Sequence, residues 1–146
     1  MKKIQIPDSW WTAPAQSDTG QLIMVTGLSG LETIKQTGVF NYCIVIEWRY
    51  DPLPDGMPRD NDAHLMEQVT GAIQAEFISD PVAILVGMDT GAGRREYTIY
   101  TRSLHIFQRK INEILTPFEQ LPLAFSAFED PDWERYDDIM QSEIQL

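Results

Sequence analysis

The stretch F-N-Y-C-I-V-I-E-W-R-Y, from Phe40 to Tyr50, decides the fold of this chain. Every second residue in it is apolar or aromatic, and Glu47 and Arg49 are among the residues between them. Successive side chains of a strand point to opposite faces, so this alternation predicts a β-strand with one face built for a core. The turn P-D-G-M-P at Pro54 to Pro58 follows it.

Weaker patterns on both sides predict the remaining elements. We expect further strands at 21–28, 82–88, 94–101 and 121–128, with the second and third forming a hairpin. We expect a helix over 62–79 capped by Asp60 or Asp62, and another after the N-cap Ser103. A last short helix starts at Asp130, with Pro131 in its first turn. Residues 31–36 fit a helical turn or a strand extension equally well.

From residue 40 the order is strand, helix, strand, strand, helix, strand. This predicts an α+β fold, a ferredoxin-like βαββαβ sandwich with both helices on one face of an antiparallel sheet. An extra N-terminal strand and a short C-terminal helix are added to it. The extra strand pairs either with an outer strand or, through a short connection, with the strand at 40–50, and the sequence leaves both open.

The length of 146 residues predicts a single domain. Within it we distinguish an irregular N-terminal arm (1–20), a ferredoxin-like core (40–129) and an acidic C-terminal helix (130–146). The adjacent tryptophans Trp10 and Trp11 indicate that the arm docks on the body of the protein.

The net charge of −11 opposes binding to nucleic acid, because such surfaces are normally basic. No apolar run approaches the roughly 20 residues of a membrane span, so no membrane contact is expected. The absence of a signal-peptide pattern and the single cysteine, Cys43, favour the cytoplasm. Residues 129–143 carry seven acids and one base, which fits either a solvated face or an acidic patch for a basic protein partner.

Four signatures stand in sequence order. They are I-V-I-E-W-R-Y at 44–50, D-G-M-P at 55–58, T-G-A-G-R-R-E-Y-T-I-Y at 90–100 and D-P-D-W-E-R-Y at 130–136. Together they resemble an uncharacterised bacterial family, domain of unknown function 695, over residues 40–136. That family is more distantly similar to the protein inhibitors of ribonuclease E of the regulator B type. The resemblance implies the fold and supplies no catalytic residues, and it leaves inhibition by charge mimicry as a further reading.

No familiar catalytic or metal-binding motif is present. The two histidines, His64 and His105, have no second ligand at zinc spacing, and no nucleophile elbow or phosphate loop occurs. Residues 51–62 fit a calcium loop poorly, because Leu53 takes a ligand position and three prolines stiffen the turn. We therefore expect no metal and no cofactor.

The leading hypothesis is a non-catalytic binding or regulatory domain that contacts another protein or a second copy of itself. Its contact surface would be the acidic helix or, if the N-terminal arm leaves it uncovered, the sheet face away from the two helices. The alternative is a small-molecule enzyme with a pocket near the Asp55-Gly56 turn and Arg94-Arg95, in which His64 acts as acid or base. The candidate binding residues are Glu47, Arg49, Asp55, Arg94, Arg95, Tyr100 and Trp133.

Overall fold

The computed structural model describes residues 4–144, in which one six-stranded antiparallel sheet and four α-helices form a mixed α/β fold. The strands are β1 (Trp10–Gln16), β2 (Leu22–Leu28), β3 (Tyr42–Arg49), β4 (Ala83–Gly91), β5 (Arg94–Thr101) and β6 (Leu123–Glu129). The helices are α1 (Glu32–Gln36), α2 (Asp60–Ser79), α3 (Leu104–Leu115) and α4 (Glu134–Met140). The strand order across the sheet is β1-β2-β4-β5-β3-β6.

Strand β3 lies inside the sheet between β5 and β6, and its predicted alternation is confirmed. Ile44, Ile46 and Trp48 are buried in the same core cluster as the apolar stripes of α2 and α3. Both helices therefore cover one face of the sheet. The alternation from Phe40 to Tyr50 reflects the burial of that face.

The two long helices differ in how they begin. The prediction for α3 is confirmed, since the Ser103 hydroxyl oxygen accepts a hydrogen bond from the Ile106 N–H at 3.2 Å. The predicted cap of α2 is wrong, because the N-cap is Arg59 and its side chain makes no capping bond. Asp60 and Asp62 lie within the first turn, where their negative charge still favours the helix N-terminus.

The N-terminal segment is more regular than its composition predicts. Residues Trp10–Gln16 form the edge strand β1, so an irregular arm over 1–20 is wrong for this part, and residues 1–3 lie outside the described chain. Pro14 stands in the middle of β1, which is compatible with an edge strand because proline has no N–H to give to a second neighbour. Strand β2 pairs with β4, so the extra strand adds to an outer strand of the core and not to β3.

The face of the sheet away from α2 and α3 is covered as well. Cys43 and Tyr100 are fully buried there, in a second core cluster with Trp133 and Tyr136. The expectation of an accessible surface at these strand residues is therefore wrong. Gly87 allows the close approach of α4, because a Cβ at this position would lie 3.0 Å from the Ile139 Cδ1 atom.

The buried carboxylate of Asp130 joins α4 to the sheet. Its Oδ2 accepts from the Tyr100 hydroxyl at 2.7 Å and from the Arg135 N–H at 3.1 Å, and its Oδ1 accepts from the Glu134 N–H at 2.9 Å. The helix thus begins at Glu134, and the predicted start with Pro131 in the first turn is wrong. Asp130 caps the helix from four residues before its first residue, because residues 131–133 form a turn.

Trp133 occupies that turn with a left-handed backbone, φ 56°, and completes the attachment. Its indole stacks on the Tyr100 ring with 4.3 Å between centroids, and its Nε1 donates to the Phe40 carbonyl at 2.8 Å. The Tyr136 hydroxyl donates to the Leu28 carbonyl at 2.6 Å. The signature D-P-x-W-x-x-Y is therefore explained by the structure: the polar atoms of Asp130, Trp133 and Tyr136 are paired inside a buried core.

The D-G-M-P turn has a comparable structural role at the other end of β3. The Gly56 carbonyl accepts from the Gly93 N–H at 3.0 Å and from the Tyr50 hydroxyl at 2.8 Å. Gly56 has φ 89°, and a Cβ there would lie 2.9 Å from the backbone nitrogen of Ala92. Only glycine lets this turn dock on the β4–β5 hairpin.

We expect Asp130→Asn to lower the free energy of unfolding by roughly 2–3 kcal/mol, because an amide nitrogen would face backbone donors in a buried site. Urea denaturation should show a lower midpoint. The matched control is Asp138→Asn, an exposed acid on α4, which should leave the midpoint unchanged. Equal effects of the two variants would contradict the assigned role of Asp130.

Candidate functional site

Three of the predicted binding residues lie in one charged cluster on the α4 side of the sheet. Glu47 pairs with Arg49 on its own strand and lies 3.6 Å from Arg94, oxygen to nitrogen. Arg94 also lies 3.7 Å from Glu96, which lies 3.9 Å from Arg135 of α4. Glu47 and Glu96 are direct cross-strand partners, and the arginines compensate for the repulsion between their charges. The cluster is thus largely neutralised by its own members.

Asp89 is not among the predicted residues, but it lies opposite Glu96 in the β4–β5 hairpin. Its Oδ1 atom is shut off from solvent and has no hydrogen-bond partner among residues 4–144. Burial raises the pKa of the Asp89 carboxyl, while nearby Arg135 opposes the rise and Glu96 adds to it. The available signal was the two-residue turn Ala92-Gly93, which sets the hairpin register and brings the two acids together.

Arg95 lies on the opposite face of the sheet from Arg94, because adjacent strand residues point to opposite sides. Its Nε donates to the Thr90 hydroxyl at 2.8 Å, and its guanidinium lies over the Tyr97 ring at 5.8 Å. Asp55 is exposed in its turn, where its Oδ1 accepts from the Met57 N–H at 3.0 Å. The two arginines therefore do not form a common site beside Asp55.

The remaining predicted residues have structural surroundings. Tyr100 and Trp133 are fully buried and stacked on each other, so neither offers surface to a ligand. Burial raises the pKa of the Cys43 thiol to about 11, which keeps it protonated. His64 lies on α2, its Nε2 3.4 Å from the Gln68 amide nitrogen. Within residues 4–144 no helix is long and apolar enough to cross a membrane, and no cluster of metal-ligating side chains occurs.

A second feature that the sequence analysis missed is an exposed apolar edge. Strand β6 pairs with β3 on one side and, within the described residues, has no strand on the other. Phe125 is 49% exposed on the face of the sheet that α2 and α3 cover, and Phe128 is 43% exposed on the face that α4 covers. The signal was the spacing of these two residues: three positions apart, they must lie on opposite faces of a strand.

A groove of about 340 Å³ runs between β6 and α3. Its walls are apolar or uncharged side chains, chiefly Leu104, Phe107, Gln108, Ile111, Asn112 and Phe125. We call β6 together with this groove the β6 edge. It combines open backbone groups with an adjacent apolar surface, which is the arrangement that recognises an added strand.

Asp89 supplies a test of the charged cluster. The folded state binds its proton more tightly than the unfolded state, so ionised Asp89 destabilises the fold at neutral pH. We expect Asp89→Asn to raise the free energy of unfolding by roughly 1 kcal/mol at neutral pH, because the amide places no charge in the buried site. The gain should shrink as the pH falls towards the usual carboxyl pKa of about 4.

Urea denaturation of the variant and the unaltered chain, at neutral pH and at a pH of about 4, measures the difference in the free energy of unfolding. Asp138→Asn is the control, because it removes one negative charge at an exposed position and should give no gain. A gain for Asp89→Asn that does not depend on pH would show that ionisation is not its cause.

Similarity to known proteins is found with a protein family and extends over most of the chain. No curated protein and no solved structure matches the chain. The model of a family of unknown function, DUF695, matches residues 9–140. The match reaches further towards the N-terminus than the resemblance over 40–136, and it includes β1 and β2. The chain therefore belongs to the family of unknown function DUF695.

Proposed function

We propose that this protein is a non-catalytic binding domain that acts through protein–protein contact at the β6 edge. The observation that carries the proposal is an edge strand whose outer side no other strand of residues 4–144 covers, with an exposed phenylalanine on each face. Proteins usually protect such edges with charges, prolines or a covering element, since bare edges pair with other chains. An edge left open and apolar is therefore best explained by a partner.

The contrast between the two edges of the sheet supports this reading. Strand β1, at the opposite edge, contains Pro14 at its middle. Strand β6 contains no proline, and its one charged residue, Glu129, is its last. One edge is thus unsuited to further pairing and the other is suited to it.

The groove supplies the other half of a recognition site. In strand addition, main-chain hydrogen bonds provide affinity and pockets for alternate side chains provide specificity. Every second side chain of an added strand would point to the face that holds the groove beside α3. Its uncharged lining suits apolar side chains, although the chain carries a net charge of −11.

The two other surfaces have less in their favour. In the charged cluster, Glu47 and Glu96 already have arginine partners. The enzyme reading needed Arg94 and Arg95 together near Asp55, but these arginines lie on opposite faces of the sheet. The β6 edge has neither disadvantage.

We also infer that the unit from β3 to β6 is a ferredoxin-like sandwich. Support comes from the sheet order β4-β5-β3-β6 and from the common core of α2 and α3 on one face. In this arrangement β6 is an outer strand by topology. Strands β1 and β2 extend the sheet only at the other end, beside β4.

We expect Phe125→Lys to abolish protein association, because it places a charge beside the groove and removes its aromatic wall. Affinity capture and light scattering would compare the variant with the unaltered chain. The matched control is Ile78→Lys, which changes an apolar residue that is 61% exposed on α2 and should have no effect. An unaltered chain that binds nothing, or binding that survives Phe125→Lys, would overturn the proposal.

A further inference from the structure

We propose that the occupant of the β6 edge is β6 of a second copy of this chain. The two strands would pair antiparallel about a two-fold axis through Ser126 and join the two sheets into one. This inference rests on the proposed function and specifies its partner.

The residue pattern of β6 favours this register. A two-fold axis perpendicular to the sheet leaves each face of the sheet on the same side in both copies. Directly opposed residues point to the same face, so one residue must pair with its own copy across the axis. Ser126 is the midpoint of Leu123–Glu129, and this choice alone pairs all seven residues of the strand. It places Phe125 opposite Ala127 on one face and Phe128 opposite Ala124 on the other.

Large residues then face small ones on both sides of the joined sheet. Ala127 lines the groove of its own subunit, so the Phe125 ring of the partner would enter that groove. Moving the axis to Phe125 sets two aromatic rings directly against each other, and moving it to Ala127 sets Phe125 against Glu129. The pairing about Ser126 keeps the two rings apart, and it sets Glu129 against Leu123 at the end of the strand and not against the Phe125 ring.

The charges are compatible with a second copy. Residues 123–128 contain no ionisable side chain, so this surface offers nothing to attract a basic partner. The two Glu129 carboxylates would lie at opposite ends of the paired strands, about 20 Å apart for six residues of rise. That distance exceeds the Debye length of about 8 Å at physiological salt, so the negative charges are screened from each other.

The assembly would also close after two copies. The pairing is isologous, meaning that both subunits use the same surface, and it consumes the β6 edge of each. The edges left at the outside are the two β1 strands with Pro14. A dimer is therefore expected and not a filament.

The register is tested by cysteine cross-linking in the full chain. Directly opposed strand residues have Cα atoms about 4.5–5.5 Å apart, within the range of a disulfide. Ser126→Cys should form a disulfide-linked dimer under mild oxidation. Ala124→Cys is the matched control: it is exposed on the same face, but its counterpart would lie about 14 Å away. The native Cys43 is buried and does not interfere.

Light scattering on the purified chain, over a series of concentrations, gives the mass. The proposal predicts twice the chain mass for the unaltered chain and for Ile78→Lys, and the mass of one chain for Phe125→Lys. It also predicts that Ser126→Cys forms the cross-link and that Ala124→Cys does not. A monomer at every concentration would overturn it, and so would equal cross-linking of the two cysteine variants. A monomer that captures a foreign protein through Phe125 would refute the second copy and leave the proposed function standing.

Discussion

The carboxylate of Asp130 is the interaction on which the second core of this protein depends. It accepts hydrogen bonds from one hydroxyl on β5 and two backbone N–H groups of α4, so one buried group fixes the helix against the sheet. Burial, together with the hydrogen bond to Asp130, raises the pKa of Tyr100, so the hydroxyl keeps its proton and remains a donor. The stacking of Trp133 on Tyr100 depends on this attachment.

Because α4 is held in this way, it covers one face of the sheet, while α2 and α3 cover the other. The same attachment explains why the aromatic residues of the C-terminal signature are not ligand-binding residues. They fill the space between sheet and helix, while Glu134, Asp137 and Asp138 remain exposed on the outer side of α4. The exposed aromatic side chains of the described residues, Phe125 and Phe128, lie on the edge strand β6.

The local patterns were sufficient to predict most of the elements. Alternation predicted β3 and β5, and the apolar stripes with the Ser103 cap predicted α3, because these signals depend on residues a few positions apart. Strand β1 was not predictable in this way, since Pro14 and the paired tryptophans obscure its period. Its pairing with β2 becomes clear only in three dimensions.

The candidate site was less predictable, for a related physical reason. Whether a strand is interior or at an edge depends on topology and not on its own composition. The spacing of Phe125 and Phe128 therefore puts them on opposite faces of a strand but does not show that both are exposed. The coverage of Tyr100 likewise depends on a helix that follows β5 by about thirty residues. In contrast, the separation of Arg94 from Arg95 followed from strand geometry alone.

The attachment of α4 has a consequence for how the chain acquires its structure. Trp133 bonds to Phe40 across 93 positions, and Tyr136 bonds to Leu28 across 108. Contacts this distant in sequence close late and slow the folding of small proteins. During synthesis the β3 face that contains Cys43 stays uncovered until α4 has left the ribosome. In that interval its apolar side chains can associate with other exposed chains.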